Sequence, residues 1–483
     1  MPIALSNLKL DRISKIAWGL VVLSLPLTTF RYVPSFYGFS SVRPLALYPL
    51  AILLLMLAIK AWRSKKLELP KIATPILAFL FAALVATLLG FLLDPLELRG
   101  QSYAGRALRA WFSVAVGLMF FLSAYWMNKS KDDIKYTLRW MYAGLVASII
   151  WGGIQIAANK FAFIDIAIIE KIQLSFSLRG LPDNYRIVGF AFEPAWLADQ
   201  IVIFYYPWLF SALITGYRVF KYRWVEPGLF ILGSVLLVFT FSRGGVLIAI
   251  LAVGATILIV GRKQIAAGWN WLWSPFRNKD PKQSFWRAAA IRTLLLISLL
   301  IGFTSAARTF SENRYFSSFL EFDSTTDLYK YMLDVSAGPR LAYAASGLNI
   351  YTDHPWTGVG LGASPLYLYD NLPDWALTNL PEINRRLSPD SPIVTNVKNL
   401  YIRLLAETGI IGFWFYSAFF LSILAEIRQL YKSNKDIARY VATAGLFIWI
   451  AIGLRNFTQD SFTFPIMWVS IGVVLGISSN HKS

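Results

Sequence analysis

Apolar stretches long enough to cross a bilayer, about 17–25 residues each, recur along nearly the whole 483-residue chain. They predict membrane-spanning helices near 13–30, 42–60, 73–93, 108–127, 138–158, 190–214, 226–242, 244–261, 291–307, 400–425, 440–458 and 464–479. The expected fold is an all-α polytopic membrane protein of about twelve transmembrane helices. The seventh and eighth spans are short and tightly joined, and the ninth is interrupted by Gly302 and Ser305. Only 308–399 is long enough to make a lobe, between the ninth and tenth spans. The chain therefore divides into a first bundle (1–307), a lobe (308–399) and a second bundle (400–483).

The connectors alternate in charge. One set carries Lys9, Arg12 and Lys15, then Lys60 to Lys71, Lys129 to Arg139, Arg218 to Arg223, Arg262 to Arg287, and Arg428 to Arg439. The positive-inside rule puts this set, and with it both termini, in the cytoplasm. Segments 31–41, 94–107, 159–189, 308–399 and 455–463 then lie outside. This alternation accounts for most of the net charge of +19, although only 15% of residues are charged. A nucleic-acid-binding reading of that charge is excluded, because the basic residues sit on short connectors beside spans. The first apolar stretch has no cleavage site after it and is expected to be a retained helix.

There is no cysteine, so neither disulfides nor thiolate metal sites are available. The two histidines, His354 and His481, form no ligand cluster, and no phosphate loop, dinucleotide fingerprint or serine elbow appears. No cofactor and no metal are expected. Chemistry here has to rest on charge stabilisation and acid–base help.

The candidate charges lie near the outer leaflet: Arg186, Arg243, Arg340, Lys398, Arg403 and Arg455, with Arg179 in the loop before the sixth span. Arg243 stands in Ser242-Arg243-Gly244-Gly245, too short a turn to carry it far from the membrane. A guanidinium at that depth faces water, protein or an anion; it either snorkels to headgroup phosphate or grips a ligand. Arginine forks bind phosphate oxygens bidentately, and lysine acts as a point charge. Arg403 has Glu407 four residues on and has the option of simply pairing with it. Glu193, before Pro194, either compensates the helix dipole or serves as a general base. His354, before Pro355, either stabilises a turn or titrates near neutrality. In the lobe, Arg340–Tyr351 has a helical rhythm that Asp353-His354-Pro355 ends. Residues 161–172 suit a helix lying in the interface or an ordinary packed one.

Four motifs fall in order: Arg186-Ile-Val-Gly-Phe-Ala-Phe-Glu-Pro194; Phe241-Ser-Arg-Gly-Gly245; Arg340-Leu-Ala-Tyr through Asp353-His-Pro-Trp-Thr-Gly-Val-Gly-Leu-Gly362; and Asn399-Leu-Tyr-Ile-Arg-Leu-Leu-Ala-Glu-Thr-Gly-Ile-Ile-Gly412. With these the chain resembles the superfamily of O-antigen ligases and O-antigen polymerases of bacterial inner membranes, over about residues 180–425. The resemblance implies a metal-independent glycosyltransferase that takes a glycan from undecaprenyl diphosphate at the periplasmic face. A polymerase passes it to another lipid-linked repeat unit, and a ligase passes it to lipid A-core. It implies Arg186 and Arg243 as holders of the donor diphosphate. Catalytic roles are expected for Glu193, Arg243, Lys398 and Arg186, and substrate contacts for Arg340, Arg179, His354, Asn399, Tyr401, Arg403 and Arg455. Ligases carry a histidine beside the asparagine of the last motif; Lys398 stands there in this chain, which favours a polymerase of O-antigen or exopolysaccharide. Expected partners are the lipid-linked oligosaccharides, membrane lipids, a flippase and a chain-length regulator. A lipid-linked-sugar flippase is the alternative of another class, although no transporter-like internal repeat is visible.

The charge alternation is checked with topology reporters. A fusion near Lys330 is expected to be active only in the periplasm, and one near Lys279 only in the cytoplasm. The reverse pattern would put the proposed cations on the wrong face.

Overall fold

In a computed structural model the chain is described over residues 2–34, 42–64, 69–70, 72–161, 164–182, 186–277, parts of 290–308, 337–387 and 391–480. The ninth expected span (291–307, with Gly302 and Ser305) falls mostly outside the described residues, as do 309–336 of the lobe, Lys65, Lys66, Lys71, Lys279, Lys282, Arg287 and His481. Among the described residues eight helices are long and apolar enough to cross a membrane, and Val225–Phe239 and Pro465–Ser478 are shorter apolar helices. The protein is a nearly all-helical polytopic bundle.

The helix ends are set by local chemistry. The first helix, Pro2–Ser24, stops before Leu25-Pro26 rather than running to residue 30, because the residue before a proline avoids helical geometry. Tyr103–Met127 starts five residues earlier than its apolar run, where the Ser102 side chain accepts from the Gly105 amide. Pro194 occupies the first turn of Pro194–Asp199, the position where its missing N–H costs nothing. That helix continues through a π-helical stretch, Gln200–Tyr205, into Tyr206–Thr215, which ends at a left-handed Gly216 (φ 74°). This is the central element: Leu197, Ala198, Ile201 through Tyr206, Trp208 and Leu209 are all buried. Asp436–Arg455 and Arg243–Val260 pack beside it, Pro465–Asn480 lies against Tyr103–Met127, and Leu400–Tyr431 against Ala73–Leu93. The interfacial candidate forms as Ile166–Phe176, capped by Asp165. One face of it packs and the other does not: Ile169 and Gln173 are buried while Ile166, Ile168 and Ile172 are exposed. Arg262–Arg277, which the apolar pattern did not predict, is a further helix directly after Arg243–Val260.

The described part of the lobe comprises Gly338–Asp353, the short helices Ser364–Tyr367, Asp374–Asn379 and Pro381–Leu387, and an extended return at 391–399. Its core of Tyr343, Ile350, Leu368, Leu380, Ile383 and Val397 is continuous with Tyr103 and Ala406 of the bundle. A hairpin, Glu97–Leu98 with Gln101–Ser102, clasps the lobe: at its tip Arg99 donates to the carbonyls of Leu387 (2.9 Å), Arg386 (3.2 Å) and Ile393.

One joint fixes the lobe to the bundle. Leu400–Tyr431 is broken at Gly409 (φ 60°, ψ −168°). The loop 355–360 fills the break: Val359 N–H donates to Ala406 O (2.9 Å), Gly360 N–H to Glu407 O (2.9 Å), and Ile410 N–H to Pro355 O (2.9 Å). Tyr103 Oη–H donates to Val359 O (2.9 Å), and the Leu361 amide to Thr87 Oγ1 (3.2 Å). A Cβ on Gly409 would lie 2.2 Å from Trp356 O, so only glycine fits in both backbone conformation and space.

Gly409→Ala is expected to destabilise the protein by at least about 1–3 kcal/mol of backbone strain, seen as a lower melting temperature in detergent. Gly254→Ala, where nothing lies within 4 Å, is the control and is expected to leave melting unchanged.

Candidate functional site

At the end of the bundle that carries the lobe, the motifs converge through a chain of contacts. The strap Arg186–Gly189 is held by Gln155, whose Oε1 accepts from the amides of Val188 (3.1 Å) and Gly189 (2.9 Å). Arg186 Nε–H donates to Thr240 O (3.0 Å), and the Ile187 amide to Phe239 O (3.2 Å). The strap is thereby bound to the turn that carries Arg243. In that turn Phe241 is left-handed (φ 46°), a rare state for a bulky residue, and the Ser242 side chain caps Gly245 N–H (3.3 Å). Arg243 begins the next helix. The two glycines differ: around Gly244 there is open space within 4 Å, whereas a Cβ on Gly245 would meet Ala198 Cβ at 2.5 Å. Gly245 serves helix packing, and Gly244 leaves room beside Arg243.

Next to Ala198, Asp199 Oδ1 pairs with Arg455 Nε at 2.8 Å, with side-chain exposures of 3% and 14%. Arg455 Nη1 also donates to Thr458 Oγ1 (2.6 Å). Breaking such a buried pair costs about 3–5 kcal/mol, so Arg455 is firmly oriented. Arg340, in the first turn of Gly338–Asp353, lies within its field. Packing around its guanidinium and then repulsion from Arg455 lower the Arg340 pKa, and Glu382 opposes them.

Lys398 has a left-handed backbone (φ 61°) and its amide donates to Asp460 Oδ2 (3.0 Å). Its Nζ lies 4.5 Å from the Tyr343 ring centre and 3.7 Å from Glu382 Oε1, which Arg386 Nε shares at 3.4 Å. Partial burial and then repulsion from Arg386 lower the Lys398 pKa, against Glu382, with Arg340 adding to the repulsion. One carboxylate thus serves two cations, with Arg340 close by.

The other expected residues are placed as follows. Arg179 pairs with Glu193 at 2.9 Å, both about 40% exposed (43% and 42%), and stacks over Phe192 at 5.2 Å. Glu193 holds the N-cap position without capping through its side chain, so it is available to an arginine instead of the helix. Arg403 is buried against Glu407 (3.0 Å) and donates to Asp460 O (2.7 Å); Glu407 in turn accepts from Ser364 Oγ–H (2.7 Å). Asn399 caps Ile402 (3.2 Å), and Tyr401 Oη–H donates to Gly453 O (2.9 Å). Both brace the helix junction. His354 is exposed at the end of Gly338–Asp353, its amide donating to Ile350 O (3.1 Å) and its ring edge-on to Tyr367. Asp199, Glu382, Arg386, Asp460 and Gln155 were not foreseen, because the sequence around each has no spacing that separates it from an ordinary polar residue.

Residues 228–417 carry an O-antigen ligase family domain. The matched segment runs from Val225–Phe239 to the break in Leu400–Tyr431 and includes Arg243, Arg340, Lys398 and Arg403. Arg186, Glu193 and Arg455 lie outside it, and Arg186 reaches it through Thr240 O. A search of the curated proteins finds no match to the chain. Over that segment the chain is similar to the O-antigen ligase family, and its apolar helices mark a membrane protein. Among the described residues no group of three or more His, Cys, Asp or Glu side chains has metal-binding proximity.

The lowered Lys398 pKa gives a pH signature. The lysine sheds its proton below its ordinary 10.5, so any anion affinity it supplies is present at lower pH and lost as pH rises through that lowered value. Lys398→Arg is expected to shift the alkaline limb of diphosphate binding upward while keeping part of the affinity, and Lys398→Ala to lose most of it. An unmoved alkaline limb in Lys398→Arg would detach Lys398 from the ligand.

Proposed function

We propose that the protein is a polysaccharide polymerase of a bacterial inner membrane. It transfers a glycan from undecaprenyl diphosphate to a second lipid-linked repeat unit at the periplasmic face. The observation that carries this reading is the convergence of Arg186, Arg243, Arg340, Lys398 and Arg455 from five separate stretches of chain onto one end of the bundle. A leaving diphosphate develops negative charge, and preorganised cations in a partly dry site stabilise it. The acceptor hydroxyl oxygen forms a bond to the anomeric carbon as the bond from that carbon to the diphosphate oxygen breaks. The electron pair stays on the diphosphate, and the hydroxyl proton passes to a base. Glu193 is assigned as that base: its carboxylate is half-exposed beside the strap that carries Arg186, held by Arg179 rather than by the helix end. The cations position and neutralise; the carboxylate accepts the proton.

A ligase that delivers the glycan to lipid A-core is the second reading, favoured by the description of the matching family. The lysine at 398, where the ligases have histidine, supports the polymerase instead: it holds an anion as a point charge and, while protonated, cannot act as a base.

Purified protein given a defined undecaprenyl-diphosphate oligosaccharide, with no nucleotide sugar, is expected to yield a ladder of lengths. A single transfer to lipid A-core would establish the ligase, and no product would return the flippase. In the same assay Arg243→Lys, which keeps charge but loses the bidentate fork, is expected to lose at least about a hundredfold in rate, the scale of one lost transition-state donor. Glu193→Gln is expected to abolish transfer with donor binding intact. Near-normal turnover in either variant removes that residue from the assignment.

A further inference from the structure

Two arginines at the lobe end of the bundle have no place in the site described above. Arg106 and Arg109 stand three residues apart near the start of Tyr103–Met127, so both guanidinium groups rise from one face of the helix. Every hydrogen bond of their side chains goes to a neutral oxygen. Arg106 donates to Gly362 O (3.3 Å), Asn396 Oδ1 (2.8 Å) and Gln101 Oε1 (3.4 Å), and Arg109 to the same Gln101 Oε1 (3.3 Å). Among the described residues no carboxylate lies within 4.0 Å of either. Arg179, Arg386, Lys398, Arg403 and Arg455 all have one. The pair is also set against the topological rule, which keeps arginine away from the outer ends of spans. Asn396 ties Arg106 to the extended return 391–399, and Gln101 ties Arg109 to Arg106. These ties distinguish the pair from side chains that snorkel into open lipid.

Arg106 lies in the field of Arg403, Glu407 and Asp460, but the extended return meets the two groups of cations through different residues. Asn396 contacts Arg106, whereas Lys398, two residues on and turned by its left-handed backbone, contacts Glu382 and Tyr343. We propose that Arg106 and Arg109 form a second anion subsite, which takes the phosphate-bearing head of a membrane-anchored ligand: the diphosphate of the acceptor. The assignment rests on the polymerase reading. In that reaction the donor loses its diphosphate but the acceptor keeps its own, so two anionic heads are present at once. Two like-charged heads are held together only if each has its own cations. Arg106 is fixed by its neutral partners, and Arg109 closes the fork from the next turn.

The test uses the full-length protein and a short-chain polyprenyl diphosphate as probe. Equilibrium binding is expected to give two sites in the native protein and one in the Arg106→Gln/Arg109→Gln protein. Arg109→Lys, with its charge kept and Arg106 untouched, is expected to keep two. Melting in detergent confirms that the variants are folded. One site in the native protein, or two in the double variant, overturns the subsite. In the transfer assay a donor with a blocked hydroxyl is paired with acceptors that differ only in carrying a diphosphate or a neutral lipid glycoside. The double variant is expected to raise KM for the diphosphate acceptor by about tenfold or more, the scale of lost charged contacts, with the neutral acceptor unchanged. An equal rise for both acceptors, or none, overturns it. A bilayer phosphate is the other source of the same chemistry. Loss of tightly bound phosphatidylglycerol from nanodiscs in the double variant, with probe stoichiometry unchanged, would give the site to the lipid and overturn the acceptor assignment. If the native protein binds two probes but transfers nothing, the polymerase reading fails while the subsite stands.

Discussion

A hydrocarbon layer supplies no water to a broken helix, so every backbone group freed by a break has to find a partner in the protein. The break at Gly409 in Leu400–Tyr431 frees the carbonyls of Ala406 and Glu407 and the amide of Ile410, and the loop 355–360 satisfies all three. The same loop ties to Tyr103 and Thr87. This single joint decides where Gly338–Asp353 and the returning strand sit, and therefore where Arg340 and Lys398 point. It also explains why the glycine-rich third motif and the last motif travel together: each is the other's hydrogen-bonding surface. The third motif's His354 stays exposed at the rim of this joint.

The charges around the joint fall into two kinds. Arg403 with Glu407, and Arg455 with Asp199, are buried pairs whose carboxylates fix an arginine in one orientation. Such pairs are a poor source of net stability, since desolvation offsets the attraction, but they are rigid. Lys398 and Arg386 share Glu382, with Arg340 and Asp460 in the same field. Cations held this way are oriented in advance, the arrangement that favours an anionic leaving group. Asp199 sits just before the π-helical stretch Gln200–Tyr205. Such bulges recur at functional sites, and here the stretch follows the residue that holds Arg455.

The strap and the tight turn show how weak local motifs become a site. Arg186 reaches the Arg243 turn through the backbone carbonyl of Thr240. Gln155, buried inside a membrane span, holds the strap in place by accepting from two of its amides. The helix that begins at Arg243 approaches Pro194–Asp199 closely only because Gly245 has no side chain to meet Ala198.

By itself the sequence determined a nearly all-helical polytopic membrane protein and the tight turn at Arg243, because crossing a membrane is a requirement on consecutive residues and is written in apolar length. It also brought out the cations, since charge beside an apolar run is conspicuous. Boundaries moved where a local signal outweighed the apolar run, as at Pro26, Ser102 and Pro194. Only the tertiary structure decided which cations share a field and which are neutralised. Asp199 meets Arg455, Glu382 meets Lys398, and among the described residues Arg106 and Arg109 meet no carboxylate within pairing distance. The physical reason is that a buried charge needs some counter-charge or ligand but not one at any fixed distance along the chain. Packing selects the partner, and no local pattern records the choice.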